Sequence, residues 1–140
     1  MDKGVTLLEL VLALGLLLII ITGVSAYNAN WYLRNNLDGS KNMLVSSVRK
    51  AQEYSIIKKS NLTWGICLTS GNIRLFGGSC ASPTIKDDFN VPDNVTLTGL
   101  STVTFSSLRG EPSSPQTIIL SSGGKTYTIV INSVGGMTIN

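Results

Sequence analysis

Two groups of residues in this chain have the type and spacing to do chemistry: a lone carboxylate in an apolar run, and a pair of cysteines. Glu9 is the only formally charged residue between positions 5 and 27. A carboxylate in hydrocarbon costs roughly 2.5–3.5 kcal/mol at mid-depth and less near an end, so it needs a partner. A local one is available, because Thr6-Leu7-Leu8-Glu9 has capping-box spacing. Thr6 and Glu9 could then satisfy free N–H groups at a helix start, where a negative charge also suits the helix dipole. A helix beginning near Val5 leaves Met1 to Gly4 as a separate leader. Cys67 and Cys80 stand 13 residues apart. Closing that loop would stabilise a small domain by about 3 kcal/mol in the chain-entropy model. The competing arrangement is two thiols, buried at Cys67 and exposed at Cys80. No C-x-x-C spacing points to redox catalysis.

Composition removes other chemistry. The 140 residues contain no His, and two Cys alone cannot complete a four-ligand zinc site. Metalloenzyme and His-dependent triad mechanisms are therefore excluded, no cofactor is expected, and no nucleophile–base pair suggests an enzyme. Charged residues are only 14% against 43% apolar, and the net charge is +3 with no basic block. That balance argues against a dedicated nucleic-acid protein while leaving room for weak phosphate contacts. The paired glycines Gly77-Gly78, Gly123-Gly124 and Gly135-Gly136 fit no phosphate-binding pattern and read as turns.

The element that must position Glu9 is long. Residues 5–27 include eight Leu and three consecutive Ile. As a helix they span about 35 Å, enough for a bilayer core of about 30 Å. A secretory signal peptide is one reading, with Val24-Ser25-Ala26 as its cleavage site, but the run exceeds the usual apolar length and carries a carboxylate. A plain signal anchor is another. Trp31 and Tyr32 suit the membrane–water boundary that would follow.

A third reading comes from a resemblance. Lys3-Gly4 followed by Val5-Thr6-Leu7-Leu8-Glu9-Leu10 and an unbroken apolar run resembles the N-terminus of type IV pilins. The resemblance implies cleavage between Gly4 and Val5 by the prepilin peptidase, N-methylation of the new terminus, and Glu9 as fifth residue of the mature chain. Val5 departs from the Phe that the family most often has there. The resemblance further implies that Glu9 meets the terminal amine of a neighbouring subunit, a pairing that a low dielectric strengthens.

Beyond the apolar run, positions 28–58 contain no Pro. Leu33, Leu37, Leu44, Val48 and Ala51 form one helical stripe, with Tyr54 and Ile57 extending an adjacent face. By the resemblance, one continuous helix of about 50 residues is expected, with Asp38-Gly39-Ser40 as its weak point. From about position 62 the pattern turns to short β-type runs: 63–68 with 72–76 as a hairpin, 95–98, 102–105, 117–120 with 125–131 as a second hairpin, and 137–139. Residues 77–92 and 110–115 read as surface loop. About seven strands must cover an apolar face, for which the amphipathic helix is the natural lid.

The expectation is thus an α+β chain: leader 1–4, transmembrane or filament-core helix 5–27, the amphipathic half of the same helix 28–61 and a β-rich head 62–140. The stretch from Arg49 to Asn61, with Val103-Thr104-Phe105, Gly110 and the glycine-separated strands near the end, is similar to GspH/FimT-type minor pilins and pseudopilins. By that resemblance the protein is a structural subunit of a type IV pilus or type II secretion filament. It would sit as a single-pass protein in the cytoplasmic membrane with an extracytoplasmic head, then pass into the filament. Its partners would be other pilin or pseudopilin subunits, prepilin peptidase, inner-membrane assembly machinery, and membrane lipid before assembly. The alternative is a binding module at a pilus tip for adhesion or DNA uptake, with weak DNA binding.

Overall fold

A computed structural model describes residues 6–140; within it, the side chains of residues 23–30 lie outside the description. One helix, α1 (Leu7–Ile56), is followed by a 3-10 turn (Lys59–Asn61) and eight strands. These are β1 (Trp64–Thr69), β2 (Asn72–Gly78), β3 (Pro83–Asn90), β4 (Thr96–Thr98), β5 (Val103–Thr104), β6 (Gln116–Ser122), β7 (Lys125–Ile131) and β8 (Met137–Ile139). They form two antiparallel sheets in the orders β3-β2-β1-β5 and β4-β6-β7-β8. The architecture is α+β.

The helix runs unbroken, as expected, through its weak point at Asp38-Gly39-Ser40. Gly39 costs about 1 kcal/mol relative to Ala, and tertiary contacts on either side outweigh it. Asp38 is tied to Tyr127, and Leu37 and Leu44 are completely buried. The Ser40 hydroxyl donates back to the Asn36 carbonyl at 2.8 Å, so its polar atom is satisfied inside the helix. α1 stops at Ile56 because Lys58 takes a left-handed conformation (φ 49°, ψ 42°). Ile57 is consequently exposed rather than part of the packed face.

The expected stripe is the packed one. Leu37, Leu44, Val48 and Ala51 have no exposed surface and join Trp64, Ile66, Ile73, Leu75, Val103, Ile118, Leu120, Ile129 and Ile131 in one core. Both sheets contribute to it, so the helix serves as the shared wall between them. Two glycines allow the close approaches this needs. A Cβ on Gly65 would strike the Val103 carbonyl and the Phe76 ring, and one on Gly99 (φ 81°) would strike the Thr117 carbonyl, just where the chain leaves the second sheet for β5.

One strand lies where a loop was expected. Residues 83–90 form β3, paired with β2 from Asn72–Asn90 to Gly78–Pro83. Its leading Pro and its Lys86, Asp87 and Asp88 hide the signal, yet all are compatible with an edge strand whose outer side needs no donor. β3 is largely exposed for the same reason.

Candidate functional site

Thr6 caps α1: its hydroxyl accepts the Glu9 N–H at 3.3 Å, and its carbonyl accepts the N–H groups of Glu9 (3.0 Å) and Leu10 (3.2 Å). Glu9 lies exposed in the first helical turn, one turn inside the positive end of the helix dipole. Gly4 and Val5 lie outside the described residues.

Around Glu9 the helix presents a bare apolar surface. Twelve large apolar side chains between Leu7 and Ile21 are each 54–83% exposed. Thr22 adds no unpaired polar group, since its hydroxyl donates into its own helix at Leu18 (3.0 Å) and Ile19 (3.1 Å). Gly15 leaves a shallow notch between Leu8, Val11, Leu12 and Ile19. Residues 7–22, the described part of the apolar run, extend about 24 Å. Among the described residues no helix is long and apolar enough to cross a membrane. Trp31 and Tyr32, one turn beyond the described run and its undescribed continuation, are 61% and 60% exposed.

Cys67 and Cys80 form a disulfide. Cys67 is buried in β1 and Cys80 lies just after β2, so the bond ties the β2–β3 connection back onto the sheet. Arg74 reinforces it from the next strand. Its guanidinium donates to both Asp88 carboxylate oxygens (2.6 and 2.9 Å) and to the Cys80 carbonyl (3.3 Å). Those charge-assisted bonds hold the Asp88 carboxyl below the usual carboxylate range, with Lys86 at 3.8 Å adding to the effect. The bridge is a staple for a small head.

The helix is bound to the second sheet by polar contacts that the sequence did not announce. The Tyr127 hydroxyl donates to Asp38 at 2.7 Å, and this bond lowers the Asp38 pKa, aided by Lys125 and Lys41. Lys41 and Lys125 each sit over the Tyr127 ring, 4.6 and 4.7 Å from its centre. Near the other end, Gln52 donates to the carbonyls of Gly110 (3.2 Å) and Gly135 (2.8 Å), drawing two loops onto α1. Only the presence of polar side chains among helical apolar residues could have hinted at Gln52 and Asp38; their partners are 58 to 89 residues away.

The basic residues are dispersed. Lys59 lies over Tyr54 (3.6 Å) and nearer than 6 Å to Trp64, while Arg74 is committed to Asp88. Asn94 is engaged with Asn36 (2.8 Å) and Ser122 (3.0 Å). Among the described residues no cluster of His, Cys, Asp or Glu could hold a metal ion.

The type II transport protein GspH family matches residues 42–135, well over half of the chain. The chain belongs to that family. The match begins inside the buried half of α1 and continues through both sheets to the turn before β8. GspH-family membership makes this a pseudopilin-type protein of type II secretion, a structural rather than enzymatic class that works beside other pseudopilins in the cell envelope. No curated protein and no solved structure matches the chain. For this GspH-family chain, the head is therefore the part related to known proteins, while residues 6–41 rest on their own geometry.

Proposed function

We propose that this chain is a filament subunit, a minor pilin or pseudopilin, assembled through the N-terminal half of α1. Residues 5–27 tether it in the cytoplasmic membrane before assembly, cleavage follows Gly4, and Val5 becomes the methylated first residue. The observation that carries this reading is the row of twelve exposed apolar side chains on a helix whose other half is sealed into its own head. Monomeric soluble proteins rarely leave so large an apolar patch open, so lipid or neighbouring helices must cover it. In that setting an unpaired Glu9 would be heavily penalised, and the terminal amine of an adjacent subunit is the fitting partner. Glu9 thereby selects the register in which a subunit enters the bundle.

Replacing Glu9→Ala tests this. Membrane fractionation should find the variant still in the membrane, and sheared filaments should contain little of it. Undiminished incorporation would refute the role of Glu9, and a mature chain starting at Tyr27 by mass spectrometry would replace the whole reading by a signal peptide. The DNA-uptake alternative has less support, because the head's cations are spent on aromatic rings and on Asp88 rather than gathered in a stripe.

A further inference from the structure

The molecule has a second apolar end. Ile57, which closes α1, is 59% exposed, and Ile56 beside it is half exposed. Leu108, in the turn closed by the Gly110 N–H on the Ser106 carbonyl (3.0 Å), is 81% exposed. Val134, in the turn closed by the Gly135 N–H on the Asn132 carbonyl (3.0 Å), is 69% exposed. Three segments far apart in the chain thus meet at one pole. Gln52 holds the two turns there through the Gly110 and Gly135 carbonyls, and Gly110 lies against Ile56. Measured along α1, the pole is about 50 Å from Thr22, the last residue of the described apolar run. Beside it opens a polar cavity of about 480 Å³, between the end of α1 and the chain at 105–107. Lys58, Asn61, Thr63 and Ser107 line this cavity together with Leu62 and Phe105. Among the described residues the Lys58 ammonium, the Asn61 amide and the Thr63 and Ser107 hydroxyls have no hydrogen bond or ion pair. Lys58, Ser60 and Asn61 all hold left-handed backbone (φ 49°, 56° and 53°), which side chains disfavour and which collects at ligand sites.

We propose that this pole seats on an anionic phospholipid surface, with Leu108, Val134 and Ile57 entering the lipid interface and one phosphodiester held in the Lys58 cavity. The two features together select an amphiphile. The apolar side chains protrude from turn tips, so they suit a soft medium that closes around them; a protein partner would need matching grooves. So few side chains also fall well short of the roughly 800 Å² per partner that a stable protein interface buries. The cavity supplies one cation and three neutral donors, which match the single charge and several acceptor oxygens of a phosphodiester. Arg109, next to Leu108, adds a second cation at the rim, where its contact with Glu111 is long (3.8 Å) and exposed. Glu53, the other acid near the end of α1, lies one turn back from Ile57. Cations close to an anionic bilayer add attraction that a zwitterionic one lacks. Because this pole and the apolar run occupy opposite ends of α1, one molecule can touch two lipid surfaces. The contact does not require filament assembly and rests on the tether reading only for which end is left free.

The test places the full chain in phosphatidylcholine nanodiscs, which cover residues 7–22, and mixes these with separate acceptor vesicles. Entry into nanodiscs reports on the tether, and capture by vesicles reports on the pole. Flotation should recover loaded nanodiscs, and not empty ones, with vesicles containing phosphatidylglycerol. Vesicles of phosphatidylcholine alone should capture about tenfold less. The pair Leu108→Ser with Val134→Ser should lower capture by about tenfold or more, and Lys58→Ala by about fivefold. Ile85→Ser, which alters an exposed apolar side chain on β3, should leave capture unchanged. Leu108→Trp should keep capture and gain fluorescence that brominated lipid in the acceptor vesicles quenches, since Trp64 is buried and Trp31 lies toward the other end of α1. The proposal is overturned if wild type is not captured, if phosphatidylcholine alone captures it equally, or if the Leu108 and Val134 pair binds as wild type does. It is also overturned if Lys58→Ala has no effect, if Leu108→Trp is not quenched, or if Ile85→Ser loses as much. Retention on immobilised poly-glutamate without capture by vesicles would assign the pole to an acidic protein and likewise overturn it.

Discussion

The two halves of α1 share one continuous backbone and have opposite surroundings. Residues 7–22 are the most apolar stretch of the chain and nearly all of their surface is open. The later half alternates apolar with charged residues, yet it is there that Leu37, Leu44, Val48 and Ala51 lose all contact with solvent. Hydropathy alone therefore does not decide burial within this chain; availability of a partner surface does. The two sheets offer one helix-wide groove, and an all-round apolar helix could not use it without leaving its other sides open. The first half must find its covering outside the chain, and the second finds it inside.

The largest effects should come from breaking this contrast in the core. Leu44→Ala should destabilise the head by about 2–5 kcal/mol, whereas Leu14→Ala should fall within about 0.5 kcal/mol of wild type. Thermal unfolding of the full chain in detergent, followed by near-ultraviolet circular dichroism, separates the two. Equal losses would mean that the apolar half supports the head. Removing the staple with Cys67→Ser and Cys80→Ser should cost about 3 kcal/mol in the same measurement and leave the helicity of residues 7–22 intact. The smallest expected effect concerns the seam between α1 and the second sheet. Tyr127→Phe removes the hydrogen bond to Asp38 and should cost about 0.5–1.5 kcal/mol.

Acid sharpens the comparison further. Asp38 and Asp88 both have folded pKa values below the ordinary carboxylate range, so the unfolded chain takes up protons first as pH falls. Their stabilisation is complete above the unfolded carboxylate pKa of about 4 and disappears as pH drops through the lower folded values. The head should thus hold steady near neutrality and weaken below about pH 4, with Tyr127→Phe shrinking the decline.

Much of the fold was legible in residue order because it is local. A 3.6-residue stripe, a Thr6 cap and glycine-marked hairpins depend on neighbours within one or two turns. β3 was not legible, because an edge strand need bury little and its charged residues resemble a loop. The continuity of α1 was expected, but the contacts that offset the cost of Gly39 come from Tyr127 and the sheet core, far along the chain.

By itself, the order of residues determined that one helix begins apolar with a single carboxylate and continues amphipathic, that short strands follow it, and that Cys67 and Cys80 stand 13 residues apart. Those properties follow from side-chain chemistry and short-range periodicity. Tertiary structure alone decided that the strands divide into two sheets, and that Asp38 and Gln52 lock the helix to the second sheet and to two loops. Strand order and register bring together residues separated by up to dozens of positions, and pairing energy depends on the whole packed arrangement rather than on any single segment.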